Sequence, residues 1–156
     1  MAGERITEMK KLIFFVPLFV LFLPDLAKAQ ATYQKDIHPL FEASCAICHG
    51  LKSPLWDEFK KEKEKYTKEN KGPRMDSYSL LVEFVKGKDT GAIMRRLDDG
   101  KNTKGAKPGN MYIYLGKDEV ERQNNLKIFK AWVGSWSLKR KNELTEEELK
   151  KITAPQ

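Results

Sequence analysis

Residues 45–49 read Cys45-Ala46-Ile47-Cys48-His49, and they contain the only two cysteines of the 156-residue chain. Two cysteines spaced C-x-x-C and followed directly by histidine form the attachment signature of a c-type haem. The two intervening residues let both sulfurs reach one edge of a porphyrin, each thiol adding across a vinyl group to give a thioether. The residue after the second cysteine, His49, then lies beneath the iron as proximal ligand, and the covalent tether holds the cofactor even where a small protein cannot bury it fully. Other uses of the motif fit less well. A structural zinc site needs four Cys or His ligands, and His38 is the only other histidine. A redox disulfide of the thioredoxin kind sits between a strand and a helix of a βαβ unit, a pattern this chain does not show.

Working outward, the N-terminus has Lys10 and Lys11, an apolar run from Leu12 to Leu23, then Pro24 and Ala27-Lys28-Ala29. A basic start, a short apolar stretch and an A-x-A end describe a secretory signal peptide over residues 1–29, with cleavage after Ala29 or, as a second choice, Ala31. The run is 12 residues long and broken by Pro17, whereas a membrane-crossing helix takes about 20. Met9-Lys10-Lys11 is itself an ordinary beginning for such a signal. Covalent haem attachment is completed outside the bacterial cytoplasm, so a periplasmic or otherwise exported protein is expected, with both thiols consumed by haem.

Residues 30–156 carry 25 basic and 19 acidic side chains, a net +6 before any haem propionates are counted. That length suits one small domain. A basic surface favours acidic partners and faster encounter at low salt. Nucleic acid, the other usual partner of a basic chain, does not suit an exported haem protein, and no stable membrane span is expected once the signal is removed. No internal repeat or second haem motif is present.

The pattern along the chain is helical throughout, with no sustained alternation that would indicate a sheet. A first helix is expected from about Gln34 to Ser44, with Pro39 in its early turns. Residues 55–70 read as one charged, mostly solvated helix with Trp56, Phe59 and Tyr66 as a thin apolar stripe. Asp76 reads as the N-cap of a helix through about Val85, stopped at Gly87. A short helix around Thr90–Asp98, a Gly/Lys/Pro-rich loop over 99–110 and a helix from Asp118 to about Val133 follow, the last with Leu126, Phe129, Trp132 and Val133 on one face. Thr145 and Glu148 form a capping box for a helix at 146–152, in a tail polar enough to fray.

With His49 on one side, the iron keeps one open coordination position. Met75, Met94, Met111 and His38 compete for it. Met111 is favoured because it sits on a Gly/Pro-rich loop, which can bring a thioether to the distal face. A Met ligand raises the potential relative to a second histidine. Met94 has the apolar spacing of a core residue, and His38 lies only seven residues before Cys45 on the proximal helix.

At this point the chain resembles the class I (His/Met) monohaem cytochrome c domains, in particular exported bacterial ones that open with D-x-x-P-x-F before C-x-x-C-H-G. Here these are Asp36-Ile37-His38-Pro39-Leu40-Phe41 and Cys45 to His49-Gly50. Gly72-Pro73-Arg74-Met75 is similar to the family's G-P-x-L, and the Met111 loop followed by the helix ending at Trp132 is similar to its ligand loop and C-terminal helix. The family usually has Met-Pro at the ligand, and here Tyr112 follows Met111. The resemblance implies an all-α, cytochrome c-like helical domain wrapped around one covalently attached haem c. It implies Cys45 and Cys48 as attachment points and His49 and Met111 as axial ligands to iron. It further implies that the Pro73 carbonyl orients the imidazole of His49. The expected organisation is a haem domain over residues 30–136, with a charged helical insertion at about 55–70, and a polar tail over 137–156.

The function expected is that of a non-catalytic carrier moving single electrons between redox proteins with acidic docking surfaces, steered by lysines such as Lys52, Lys104 and Lys107. An electron-transfer subunit of a larger exported oxidoreductase is the alternative, with 55–70 and 135–156 as docking elements. A five-coordinate haem binding a gas or peroxide is a third reading, and it requires Met111 not to ligate.

Overall fold

The computed structural model describes residues 30–101, 105 and 107–156; residues 1–29, expected to be a signal peptide, and Lys104 lie outside the described residues. Among these the structure is helical, and its only β feature is an isolated bridge between Gly134 and Ile152.

The chain enters through a wide helical turn at Tyr33–Ile37 that runs into α1, His38–Ser44. Thr32 and Asp36 cap this entry reciprocally: the Thr32 hydroxyl accepts from Lys35 N at 3.3 Å, and Thr32 N donates to Asp36 Oδ2 at 2.8 Å. At Cys45 the backbone swings to φ −120°, and the short helix α2, Ala46–His49, follows. Ile37 and Phe41 turn inward and tie α1 to the core.

Residues 55–70 correct the expectation of one helix. They form α3, Trp56–Lys61, and α4, Lys63–Lys68, separated at Glu62, whose φ −123°, ψ 37° lies outside the helical region. Seven residues of unbroken helix would separate Phe59 and Tyr66 by about 10 Å along the axis. The break brings Tyr66 back, so its ring stacks 6.3 Å from Phe59 and its hydroxyl bonds the Glu58 carboxylate. Trp56 meets Phe84 edge-on at 5.1 Å, which fastens this charged pair of helices to the core by its aromatic side.

The next helix, α5, is Tyr78–Val82, and its cap is Ser77, not Asp76; the Ser77 hydroxyl accepts from Leu80 N at 3.4 Å. Asp76 is drawn away by Arg74, whose Nε stands 2.7 Å from Oδ1. Beyond Val82 the chain tightens into three-residue turns that aim Phe84 and Val85 into the core. Helix α6, Ala92–Leu97, starts after Gly91 at φ +79°. A 3₁₀ turn at Tyr112–Leu115 leads to α7, Glu119–Val133, capped by Asp118 through Glu121 N at 2.8 Å. Its Leu126, Phe129, Trp132 and Val133 are all buried, as their spacing predicts.

The C-terminal segment is packed onto the domain instead of standing off as a polar tail. After a 3₁₀ turn at Lys141–Glu143 the capping box of Thr145 and Glu148 starts α8, Glu146–Lys150. The last residues then cross back over α7 and the entry turn Tyr33–Ile37. Thr153 N and Ala154 N donate to the carbonyls of Val133 and Trp132, and the Pro155 carbonyl accepts from Tyr33 N and Trp132 Nε1. Ile152 is 4% exposed and Ala154 fully buried. Polar composition hid this because the attachment is made largely by backbone groups. Ile152→Ala is expected to lower unfolding stability by about 2 kcal/mol, the low end for a buried Ile truncation, read by chemical denaturation.

Tyr33 contributes an unusual group to this seam. Its ring packs edge-on against Tyr78 at 5.5 Å, and its buried hydroxyl has no hydrogen-bond partner among the described residues. Removing an unpaired buried hydroxyl relieves a desolvation cost, so Tyr33→Phe is expected to leave stability unchanged or raise it by up to about 1 kcal/mol. A drop beyond that in denaturant melts would mean the hydroxyl is bonded.

A candidate haem-binding centre

The centre is built where α2 meets an extended strip at 72–75. Gly72 N donates to the Cys48 carbonyl at 2.7 Å, and Met75 N to the His49 carbonyl at 2.8 Å. Arg74 N reaches the Pro54 carbonyl at 2.8 Å, so both ends of the turn after the motif are held. Between these bonds, the His49 ring and the Pro73 carbonyl approach to 2.8 Å through Nδ1. A carbonyl only accepts, so Nδ1 carries the proton and donates, and Nε2 keeps its lone pair. Burial lowers the imidazole pKa most; the Pro73 bond works the other way, and the Arg96 charge lowers it further. A neutral imidazole with its orientation set through Nδ1 is the form that binds a metal through Nε2.

Gly72 permits the approach. A Cβ built there would lie 2.5 Å from His49 Nδ1 and closer still to Cε1. The backbone therefore runs flat against the ring, and only glycine fits. In the sequence this glycine is visible only through the resemblance, because nothing in local pattern says that an imidazole will stand over it.

Both cysteines are free thiols, partly exposed. Before haem is attached, burial, with a smaller contribution from neighbouring Cys48, pushes the Cys45 thiol up to about 11. Cys45 and Ala46 lean on the apolar core, while Ile47 faces outward at 91% exposure.

Met111 sits at the edge of that same core, half-buried, at the start of the Tyr112–Leu115 turn. Its amide donates to the Arg96 carbonyl at 3.0 Å, and Gly109 N donates to the Asp98 carbonyl at 2.8 Å. These bonds dock the loop on the end of α6, where a Cβ on Gly109 would lie 2.5 Å from the Arg96 carbonyl carbon. Arg96 links the two sides: its charge reaches His49, and its carbonyl holds Met111. No sequence signal singled it out.

The other sulfur and imidazole candidates sit as follows. Met94 is fully buried, and its sulfur accepts from Ser137 N at 3.2 Å. Met75 is buried in the core. His38 faces Glu42 at 3.7 Å on the exposed side of α1 and packs edge-on against Tyr33.

A helical domain that sets a half-buried imidazole beside C-x-x-C, with its Nδ1 fixed by a backbone carbonyl, defines a monohaem c-type cytochrome. Residues 32–156 match the family described as PccH cytochrome c, and the chain belongs to that family. Its fold is similar to the solved structure of the monohaem cytochrome PccH from Geobacter sulfurreducens, at 53% identity and a TM-score of 0.77, covering 81% of this chain and 99% of that one. No curated protein matches the chain. One covalently bound haem c, with its iron, is therefore the cofactor, and the residues present fit it: two thiols, an oriented imidazole and the glycine cradle at Gly72.

Proposed function

We propose that the chain is an exported, non-catalytic carrier of single electrons, with Cys45 and Cys48 as thioether attachments and His49 and Met111 as axial ligands. When bound, the haem iron supplies a one-electron couple. The observation that carries the reading is the His49 Nδ1–Pro73 contact of 2.8 Å over Gly72, which puts the proton on Nδ1 and leaves the lone pair of Nε2 for a metal. Pro73 holds the proton on Nδ1 and fixes the ring, so the imidazole need not reorient between oxidation states. On the other side, the α6 carbonyls hold the backbone at Gly109 and Met111, and the Asn110 side chain is braced at 2.8 Å by Arg96 Nη1. A sulfur on the sixth position would leave no iron site for a substrate, which favours carriage over catalysis.

The signal-like segment at 1–29 supports export, and no described helix is long and apolar enough to cross a membrane. Ile47 and Leu51 are exposed beside the haem motif, and Lys52 and Lys107 are exposed as well. Exposed apolar and basic side chains of this kind suit brief docking to acidic redox proteins.

The test is the absorption spectrum of the oxidised, haem-loaded protein. The weak far-red band of methionine sulfur on ferric iron is expected. A high-spin spectrum without it would overturn the carrier reading in favour of an open iron site. Doubling the ionic strength is also expected to slow electron transfer to an acidic partner protein; an unchanged rate in stopped-flow would remove steering from the account.

A further inference from the structure

A cleft of about 340 Å³ opens beside the Met111 loop, lined by Asp89, Ala92, Arg95, Arg96, Asn110 and Arg140. Its walls carry three guanidinium groups and one carboxylate. Arg95 is accounted for as a staple: it donates to the carbonyls of Thr90 and Lys139 at 3.2 and 2.9 Å and pairs with Asp89 at 3.2 Å. The other two arginines have no such role. Arg96 Nη1 donates to the neutral oxygen of Asn110, and no described residue places a carboxylate in ion-pair reach of Arg96 or Arg140. Glu143, the acid nearest Arg140 in sequence, gives its carboxylate to the Arg140 backbone N at 2.6 Å. The crowding has an electrostatic trace. Burial chiefly lowers the Arg95 pKa, Asp89 and to a smaller degree Glu143 oppose this, and Arg140 and Arg96 push it further down.

We propose that this cleft is an oxyanion site that takes a carboxylate or phosphate group between Arg96 and Arg140, with Arg95 as its fixed wall. Guanidinium forks match the paired oxygens of such groups, and an anion relieves the repulsion among three like charges. The shared chemistry has two sources: a propionate of the haem itself, or a free small dianion. Either would act on the haem through Arg96 and Asn110, which hold the backbone next to Met111. That coupling rests on Met111 as iron ligand, but the anion site does not.

The experiment uses the haem-loaded protein, its Arg96→Gln and Arg140→Gln variants, and Lys127→Gln as an exposed control. Inorganic phosphate is titrated against chloride at constant ionic strength, followed by calorimetry and by the amide resonances of Ala92, Arg96 and Asn110. A free-anion site gives saturable phosphate binding in the parent and the control, weakened about tenfold or more in either arginine variant. A propionate site gives no phosphate binding, but the propionate resonances titrate at higher pH in both arginine variants and not in the control. The proposal is overturned if phosphate does not saturate and propionate titration is the same in every protein. The phosphate titration of the parent needs no variant to fold, and Arg140→Lys keeps the charge if the Gln variant is lost. The far-red band, recorded on the same samples, reports Met111 ligation separately from anion binding.

Discussion

Met111→Ala holoprotein is expected to keep its covalent haem and lose the far-red band, turning high-spin, with a midpoint potential below that of the parent. The thioether favours ferrous iron, so its loss shifts the couple downward by a readily measured part of the roughly 0.8 V that axial ligation commands. Little of this effect belongs to packing. Met111 lies half-buried at the edge of the core, and the bonds that dock its loop are made by its backbone, by Gly109 and by Asn110. Stability should therefore fall by no more than about 2 kcal/mol, the modest end for a Met truncation. Met111→His separates ligation from packing: it is expected to restore a low-spin spectrum while leaving the potential low, because a second imidazole stabilises ferric iron relative to a thioether. A Met111→Ala protein that kept the band would move the sixth ligand elsewhere and undo the reading of this loop.

Gly72→Ala is expected to damage both stability and haem binding. The added carbon would lie 2.5 Å from His49 Nδ1, far inside contact distance, and neither neighbour has room to yield. If the imidazole moves, its bond to Pro73 and the direction of Nε2 are lost. If the strip moves, the bonds from Gly72 N to Cys48 and from Met75 N to His49 break. A cost of about 3 kcal/mol or more follows for overpacking so tight a site, roughly 10 °C or more in melting temperature for a domain of this size. Poor haem incorporation and a mixed-spin spectrum should accompany it. Pro73→Ala is the contrast: the carbonyl belongs to the backbone and survives, so the spectrum should remain low-spin. A normally loaded, low-spin Gly72→Ala protein would show that the His49–Pro73 contact does not govern ligation.

Much of the molecule was legible from local pattern. The apolar spacing at Leu126, Phe129, Trp132 and Val133 called the face of α7, and Thr145 with Glu148 called the start of α8. These signals are local in cause, since a helix repeats every 3.6 residues and a cap acts within one turn. The misreadings share an origin as well. Asp76 had the right chemistry for an N-cap, but Arg74 pairs with it and Ser77 takes the position. Residues 55–70 carried a helical pattern, but the chain breaks at Glu62, where Tyr66 folds back onto Phe59 and Glu58.

From the amino-acid order alone come the helical class, the Cys45–His49 motif with the haem it attaches, and the short set of sulfur and imidazole ligand candidates. Each rests on residues close in sequence, where spacing alone dictates which groups can face one way. Tertiary structure alone decided that Gly72 lies under the imidazole, that the last five residues lock α7 to the entry turn at Tyr33, and that three arginines share a cleft beside the Met111 loop. Those are contacts between segments separated by tens of residues. Their geometry depends on how the whole core closes, and no local periodicity encodes it.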